Sequence, residues 1–490
     1  MAYLEHVTRR EALLRAGVGA AALAMPGALS ACGGAGKKAP TPVSTDEWRQ
    51  FAGTTLNFIS ENTAPTSAIA ANLKPFKDLT GIDVKFSQLE LTALVQKVAL
   101  DFASGLGAYH VVYADPYQVL APYHAAIADL NTFNDDPNLP KVQDLKDFIP
   151  TQLDAAGRFV DRTKLYALPY DAPTLIWMYR KDIFEKHRGR MQDDLGFDPF
   201  PSDTSTWEQF YEISSWIRKN ASDDVPYGSG HQAKQHDSLM NDFSNVLWAY
   251  GGDYFPNGQD VGRYGSDDPG TPLLDRPESI AGAEMYRKLV SIAHPASTGW
   301  DWAGLAEAFM AGQVAMGAEW HEFAAGIEKS RIAGKVGYAR LPRGPKRSAN
   351  MYGGTGIAIN GVTPIHEQKA AWLFVNWATS PETQLSNLKS KVGGGTPTRQ
   401  SIYRLPEVEA ARKPPSAMPN VLTTDAVFEA WKPENIGLRP KIAAWNECDT
   451  VIFTELSKML SGSQSAEDCM RNAKDGFEGA IERAAALRKQ

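Results

Sequence analysis

Two periods of apolar residues alternate along the first part of the chain. Thr55-Leu56-Asn57-Phe58-Ile59 reads as a strand. Ile69, Leu73, Phe76 and Leu79 then share a helix face, which Pro75 is expected to kink and Gly81 to end. Ile82, Val84 and Phe86 alternate with polar residues, the period of a half-buried strand. Leu91, Leu94, Val95, Val98 and Phe102 return to helical spacing, and His110 to Asp115 forms a third strand. This order implies a parallel sheet with right-handed crossovers. Such sheets bind ligands beyond the carboxyl ends of their strands, where Asp115 sits.

Farther along, Tyr166 to Asp171 and Leu175 to Tyr179 are apolar runs. Thr206-Trp207-Glu208-Gln209 has capping-box spacing ahead of a helix carrying Phe210 and Ile217. Asn241 to Trp248 reads as a helix stopped at Gly251-Gly252, and Gly258 to Pro277 as an exposed loop. Leu305 to Met316 is helix then strand, and Gly356 to Ile359 is a strand before a helix with Leu373 and Trp377. The C-terminal part is mainly helical: Trp445, Cys448, Ile452, Leu456 and Met459 share a face, and Ser465 and Asp468 cap a last helix.

At 490 residues the chain exceeds one hydrophobic core and calls for two lobes or more. A formal net charge of −7 argues against a nucleic-acid partner. Near the start, Thr8-Arg9-Arg10 precedes an apolar run and then Leu29-Ser30-Ala31-Cys32. That is the layout of a secretory signal, and the paired arginines resemble a twin-arginine signal. Leu-Ser-Ala-Cys resembles a bacterial lipobox, which implies export over residues 1–31 and lipidation of Cys32. Residues 32–44 read as a flexible tether holding the protein at the outer side of the cytoplasmic membrane or in the periplasm. Cys448 and Cys469 are left as either a disulfide or two buried thiols.

Taken in order, these motifs resemble the family 1 extracellular solute-binding proteins, the maltose-binding-like group that serves ABC importers. The resemblance runs through Leu79-Thr80-Gly81-Ile82-Asp83-Val84, Phe102-Ala103-Ser104-Gly105 and Leu168-Pro169-Tyr170-Asp171. It continues with Tyr179-Arg180-Lys181-Asp182-Ile183-Phe184, Phe309 to Met316, Gly353-Gly354 and Thr396-Pro397-Thr398-Arg399. Leu106 to His110 depart from the usual Pro-Asp, and Arg180 stands where Asn is common. The resemblance implies an α/β, two-lobed periplasmic-binding-protein fold of type II, with several interlobe crossovers and a helical C-terminal part. Lobe one would hold residues 45–170 and 356–394, and lobe two residues 171–355 and 395–490, with crossings near Asp171, Tyr352 and Gly395. A monomer that closes on a carbohydrate and hands it to an ABC permease is the implied function.

A sugar needs rings for its C–H faces and fixed polar groups for its hydroxyls. Candidates at strand ends and in the loops after them are Asn62, Thr63, Tyr113 and Asp115, the last competing with a helix-cap role. Tyr170 and Asp171 flank the first crossing, and Trp248 and Tyr250 precede Gly251-Gly252. Trp320 and His321 follow the Ala-Met strand. Tyr352, Gly353 and Gly354 could offer backbone N–H groups, and Arg399 a fork for a hydroxyl or carboxylate, or an interlobe ion pair.

Enzyme readings fare worse. His321-Glu322 opens a zinc-protease motif, but its second histidine position is Ala325. No nucleophile elbow, phosphate loop or dinucleotide fingerprint occurs, so neither cofactor nor metal is implied. His231, His236 and Asp237 match no standard metal spacing and read as a solvated loop. Asp115 and Asp171 as a glycosidase pair, and a polyol, polyamine, oligopeptide or chelated metal as the ligand, are the alternatives kept. A polyamine site would differ by presenting several carboxylates opposite aromatics.

Overall fold

The computed structural model describes residues 45–487. The expected signal and tether, with Cys32, lie outside the described residues. Among the described residues eleven strands follow in order: β1 Thr55–Glu61, β2 Asp83–Leu89, β3 Val111–Ala114, β4 Ala167–Asp171, β5 Leu175–Arg180, β6 Tyr227–Ser229, β7 Val314–Trp320, β8 Val336–Ala339, β9 Asn350–Met351, β10 Thr355–Ile359 and β11 Ile436–Gly437. One sheet runs β2-β1-β3-β10-β4, with β1 parallel to β2 and β3 and with β10 antiparallel to both its neighbours. The other runs β6-β7-β5-β8, and β9 pairs with β11. The chain is thus a two-lobed α/β protein with one sheet in each lobe. Ala172–Thr174 leads from the first sheet to the second, and Tyr352–Gly354 leads back. These two connections touch through an antiparallel bridge of Thr174 with Tyr352.

Each sheet carries its own core. Phe58, Phe76, Trp372 and Phe374 fill the space between the first sheet and its helices. Trp177, Trp207, Phe210, Tyr254 and Phe477 do so around the second, where the helices Trp445–Leu460 and Ala466–Leu487 also pack. Each such side chain, wholly removed from water, favours folding by about 1.5–3 kcal/mol. Cys448 and Cys469 lie in this core as free thiols. Among the described residues no helix is long and apolar enough to cross a membrane.

Local expectations hold where caps are strong. Thr206 and Gln209 form the reciprocal capping box, and Gly81, Gly105 and Gly251 end helices in the left-handed conformation. Three readings need correction. The helix expected to kink at Pro75 breaks at Asn72, which leaves Pro75 in the first turn of Leu73–Thr80, where its missing N–H costs nothing. Gly258–Tyr264 is a helix, not loop, and Val261 docks on the core. The His231 segment is not solvated: His231 is 1% exposed and its Nδ1 lies 2.8 Å from Asp242. His236 instead caps the helix Asp237–Tyr250, so these histidines do not converge.

Candidate functional site

A cavity of about 310 Å³ opens between the two sheets at the carboxyl ends of β1, β3, β4 and β7. That volume lies at the small end of ligand pockets. Strand ends supply one part of its wall: Glu61 from β1, Tyr113 and Asp115 from β3, Asp171 from β4 and Trp320 from β7. Asn62 and Thr63 follow β1, and Gly353 precedes the antiparallel β10 at the same edge. Helix starts supply another part: Leu91, Asp237 and Trp302 each open a helix pointing at the cavity. Asn241 stands one turn after Asp237 and so shares its face. Glu322, Phe323 and Arg439 complete the polar and aromatic lining.

Asp115 does two jobs. One carboxylate oxygen accepts the backbone N–H groups of Tyr117 and Gln118 at 2.8 and 2.7 Å, the helix-cap role. The other lies 3.2 Å from Arg439, which also lies 3.6 Å from Asp237 and stacks on Tyr117 at 4.3 Å. Arg439 is 3% exposed, so a line of buried charge joins the end of β3 to the second lobe. Breaking such a pair on one side strands the other charge. Asp237 accepts from Gln118 at 3.0 Å and from Asn241 at 2.7 Å.

On the opposite wall, Asp171 accepts the N–H of Thr396 at 2.6 Å, and the Thr396 hydroxyl donates to Glu322 at 2.9 Å. Burial first, then the Glu322 carboxylate, pushes Asp171 well above the usual carboxylate range. Burial raises Glu322 as well, against the lowering pull of its hydrogen bonds with Asp171 and Thr396. At the end of β1, Glu61 accepts the Tyr113 hydroxyl at 2.7 Å. Burial lifts its carboxyl to about 7, against the pull of Tyr113 and helped by Asp115 and Asp237.

Of the residues singled out in the sequence, Asn62, Thr63, Tyr113, Asp115, Asp171, Trp320 and Gly353 meet around this cavity. Thr63 also caps the helix Ala64–Ala71. Gly353 is there for a reason other than the one expected. Its N–H donates to Pro173 at 2.8 Å, and a Cβ on it would lie 2.7 Å from the Trp320 indole. The missing side chain lets the ring lie on the backbone.

The remaining candidates lie off the cavity wall. Tyr170 sits behind Tyr113, with its hydroxyl 3.2 Å from Thr66. His321 points inward to Thr174 and Thr396. Trp248 is a core residue bonded to Asp253, and Tyr250 reaches Glu208 at the surface. Tyr352 is wholly buried, and its hydroxyl would lie 1.9 Å from a Cβ on Gly354. Arg399 stacks on Phe148 at 3.6 Å and donates to the carbonyls of Thr379, Gln143 and Asp144, so it forms no interlobe ion pair.

Glu61, Asp237, Asn241, Trp302, Glu322 and Arg439 were not picked out as ligand groups from the sequence. The i, i+4 spacing of Asp237 and Asn241 at a helix start was a usable signal. Arg439, in coil after β11, had none.

The profile of the bacterial extracellular solute-binding protein family matches residues 60–385, and the chain belongs to that family. A periplasmic-binding protein of Sinorhizobium fredii, named for an amino-acid ABC transporter, is 23% identical over 377 residues, covering 74% of this chain and 76% of its own. An erythritol/L-threitol-binding protein of Mycolicibacterium smegmatis is 24% identical over 428 residues, covering 81% and 82%. Maltose-bound MalE3 of T. maritima superposes with a TM-score of 0.70 at 22% identity, covering 87% of this chain and 99% of its own, a likeness of fold.

Proposed function

We propose that this chain captures a small polyhydroxylated solute, a sugar or polyol, for an ABC importer and performs no bond chemistry on it. The observation that carries the reading is the cavity between the sheets, where indole rings of Trp302 and Trp320 face fixed oxygen acceptors. Rings take C–H faces and acceptors take hydroxyls. Relatives named for maltose and for erythritol or threitol support that class. An amino acid fits worse. Its carboxylate would need a free cation, and among the described lining residues the cation is Arg439, already held by Asp115 and Asp237. A cavity of about 310 Å³ also disfavours oligopeptides.

The lobes are assigned as 45–170 with 356–394, and 171–355 with 395–490. They close by bending at the connections near Asp171, Tyr352 and Gly395, and a ligand favours closure only through contacts better made in the closed state. The protein acts as a monomer, exported and held to the membrane through a lipid on Cys32. A thermal-shift screen of monosaccharides, disaccharides and linear polyols tests the reading, because a ligand at 100 times its Kd stabilises by about 2.7 kcal/mol. A rise with amino acids and none with sugars or polyols would overturn it.

A further inference from the structure

Asn62, Thr63 and the indole N–H groups of Trp302 and Trp320 bring donors to the cavity wall, but its charged and buried polar groups lean toward acceptors. Glu61, Asp115, Asp171, Asp237 and Glu322 bring carboxyl oxygens to it, against the single engaged cation Arg439 among the described lining residues. Asn241 adds a further acceptor. It is 2% exposed, and one N–H of its amide donates to Asp237 at 2.7 Å. Its carbonyl oxygen Oδ1 is buried and has no hydrogen-bond partner. Tyr113 gives its hydroxyl proton to Glu61 at 2.7 Å, so it brings no spare donor either.

A ligand hydroxyl both donates and accepts, and meets such a wall with half its capacity. An ammonium only donates, up to three times. Charge makes the same choice: burial holds the Glu61 proton up to about pH 7, and an ammonium beside it draws the carboxyl back to its ionised form, a gain that a neutral hydroxyl lacks and an anion reverses.

We propose that the solute is a hydroxylated molecule bearing a protonated amine, an amino sugar or amino polyol, whose ammonium docks among Glu61, Asp237 and the Asn241 carbonyl oxygen. Trp320, seated on Gly353, takes a C–H face of the carbon skeleton. This rests on the polyhydroxylated reading above and narrows it.

The test is calorimetric titration of the full-length protein at pH 6.5 with matched triples that differ in one substituent. Glucosamine, glucose and glucuronate form one; galactosamine, galactose and galacturonate another; glucamine, glucitol and gluconate a third. In any triple that binds, the amine is expected to bind at least tenfold tighter than the hydroxyl member, about 1.4 kcal/mol. The carboxylate is expected not to bind at millimolar concentration. Glu61→Gln is expected to cut the amine preference at least fivefold, and the wild-type ratio decides the matter if that variant does not fold. A neutral member that binds as tightly as its amine overturns this proposal and leaves the sugar reading standing. Binding by no member of any triple overturns both.

Discussion

Replacing Glu61 by Gln keeps the shape of the side chain and an oxygen for the Tyr113 hydroxyl, but removes the charge. In the folded protein burial raises the Glu61 carboxyl from its ordinary 4.5 to about 7. The folded state therefore holds this proton more tightly than the unfolded chain does. Stability from the protonated group is fully present below pH 4.5 and is lost as pH rises through about 7. That span corresponds to at most about 3 kcal/mol, an upper bound because the side chain still meets cavity water. The Gln variant escapes the loss. Urea unfolding of ligand-free wild type and Glu61→Gln at pH 5, 6, 7 and 8 is expected to show near equality at pH 5. By pH 8 the variant is expected to be more stable by roughly 2–3 kcal/mol. A difference that stays flat with pH, or a variant less stable at pH 8, would refute the reasoning, because the charge would then not be what burial penalises.

Gly353→Ala is expected to leave the protein folded but to push the Trp320 indole off its seat, weakening ligand binding by about tenfold in a titration. Arg439→Met leaves Asp115 and Asp237 facing each other without their cation. A loss of about 3–5 kcal/mol in unfolding free energy is expected, larger than for any exposed arginine such as Arg471. Cys448 and Cys469, buried and with thiols pushed up by burial, are expected to resist a thiol reagent in the native protein and to react on unfolding. Cys32→Ser is expected to move the exported protein from the membrane fraction to the soluble one in a fractionation blot.

The difference between what was legible and what was hidden follows from how each wall of the cavity is built. Asn62, Asp115, Asp171 and Trp320 end or follow strands that show as short apolar runs, and the residue that closes each run shows with it. The parallel order then says which ends share an edge. Trp248 misled because aromatic-before-glycine marks a helix end but not its phase. The helix turns this ring toward Gly437, where a Cβ would lie 2.3 Å from the indole. Arg399 misled because an arginine fork can serve backbone carbonyls as readily as a ligand, and three of them surround it. Glu322 was hidden because it lies in a short helical turn past the end of β7, where it nonetheless keeps the side of Trp320 while His321 between them turns inward. Arg439 is the clearest case of a residue with no local signature. It lies just past β11, which pairs with β9 in a register of Ile436 opposite Asn350, a pairing too far apart in the chain for any window of sequence to contain. The groups that set the charge of the cavity are thus supplied by long-range pairing. The strand ends that outline it are local, which is why its position could be read and its acidity could not.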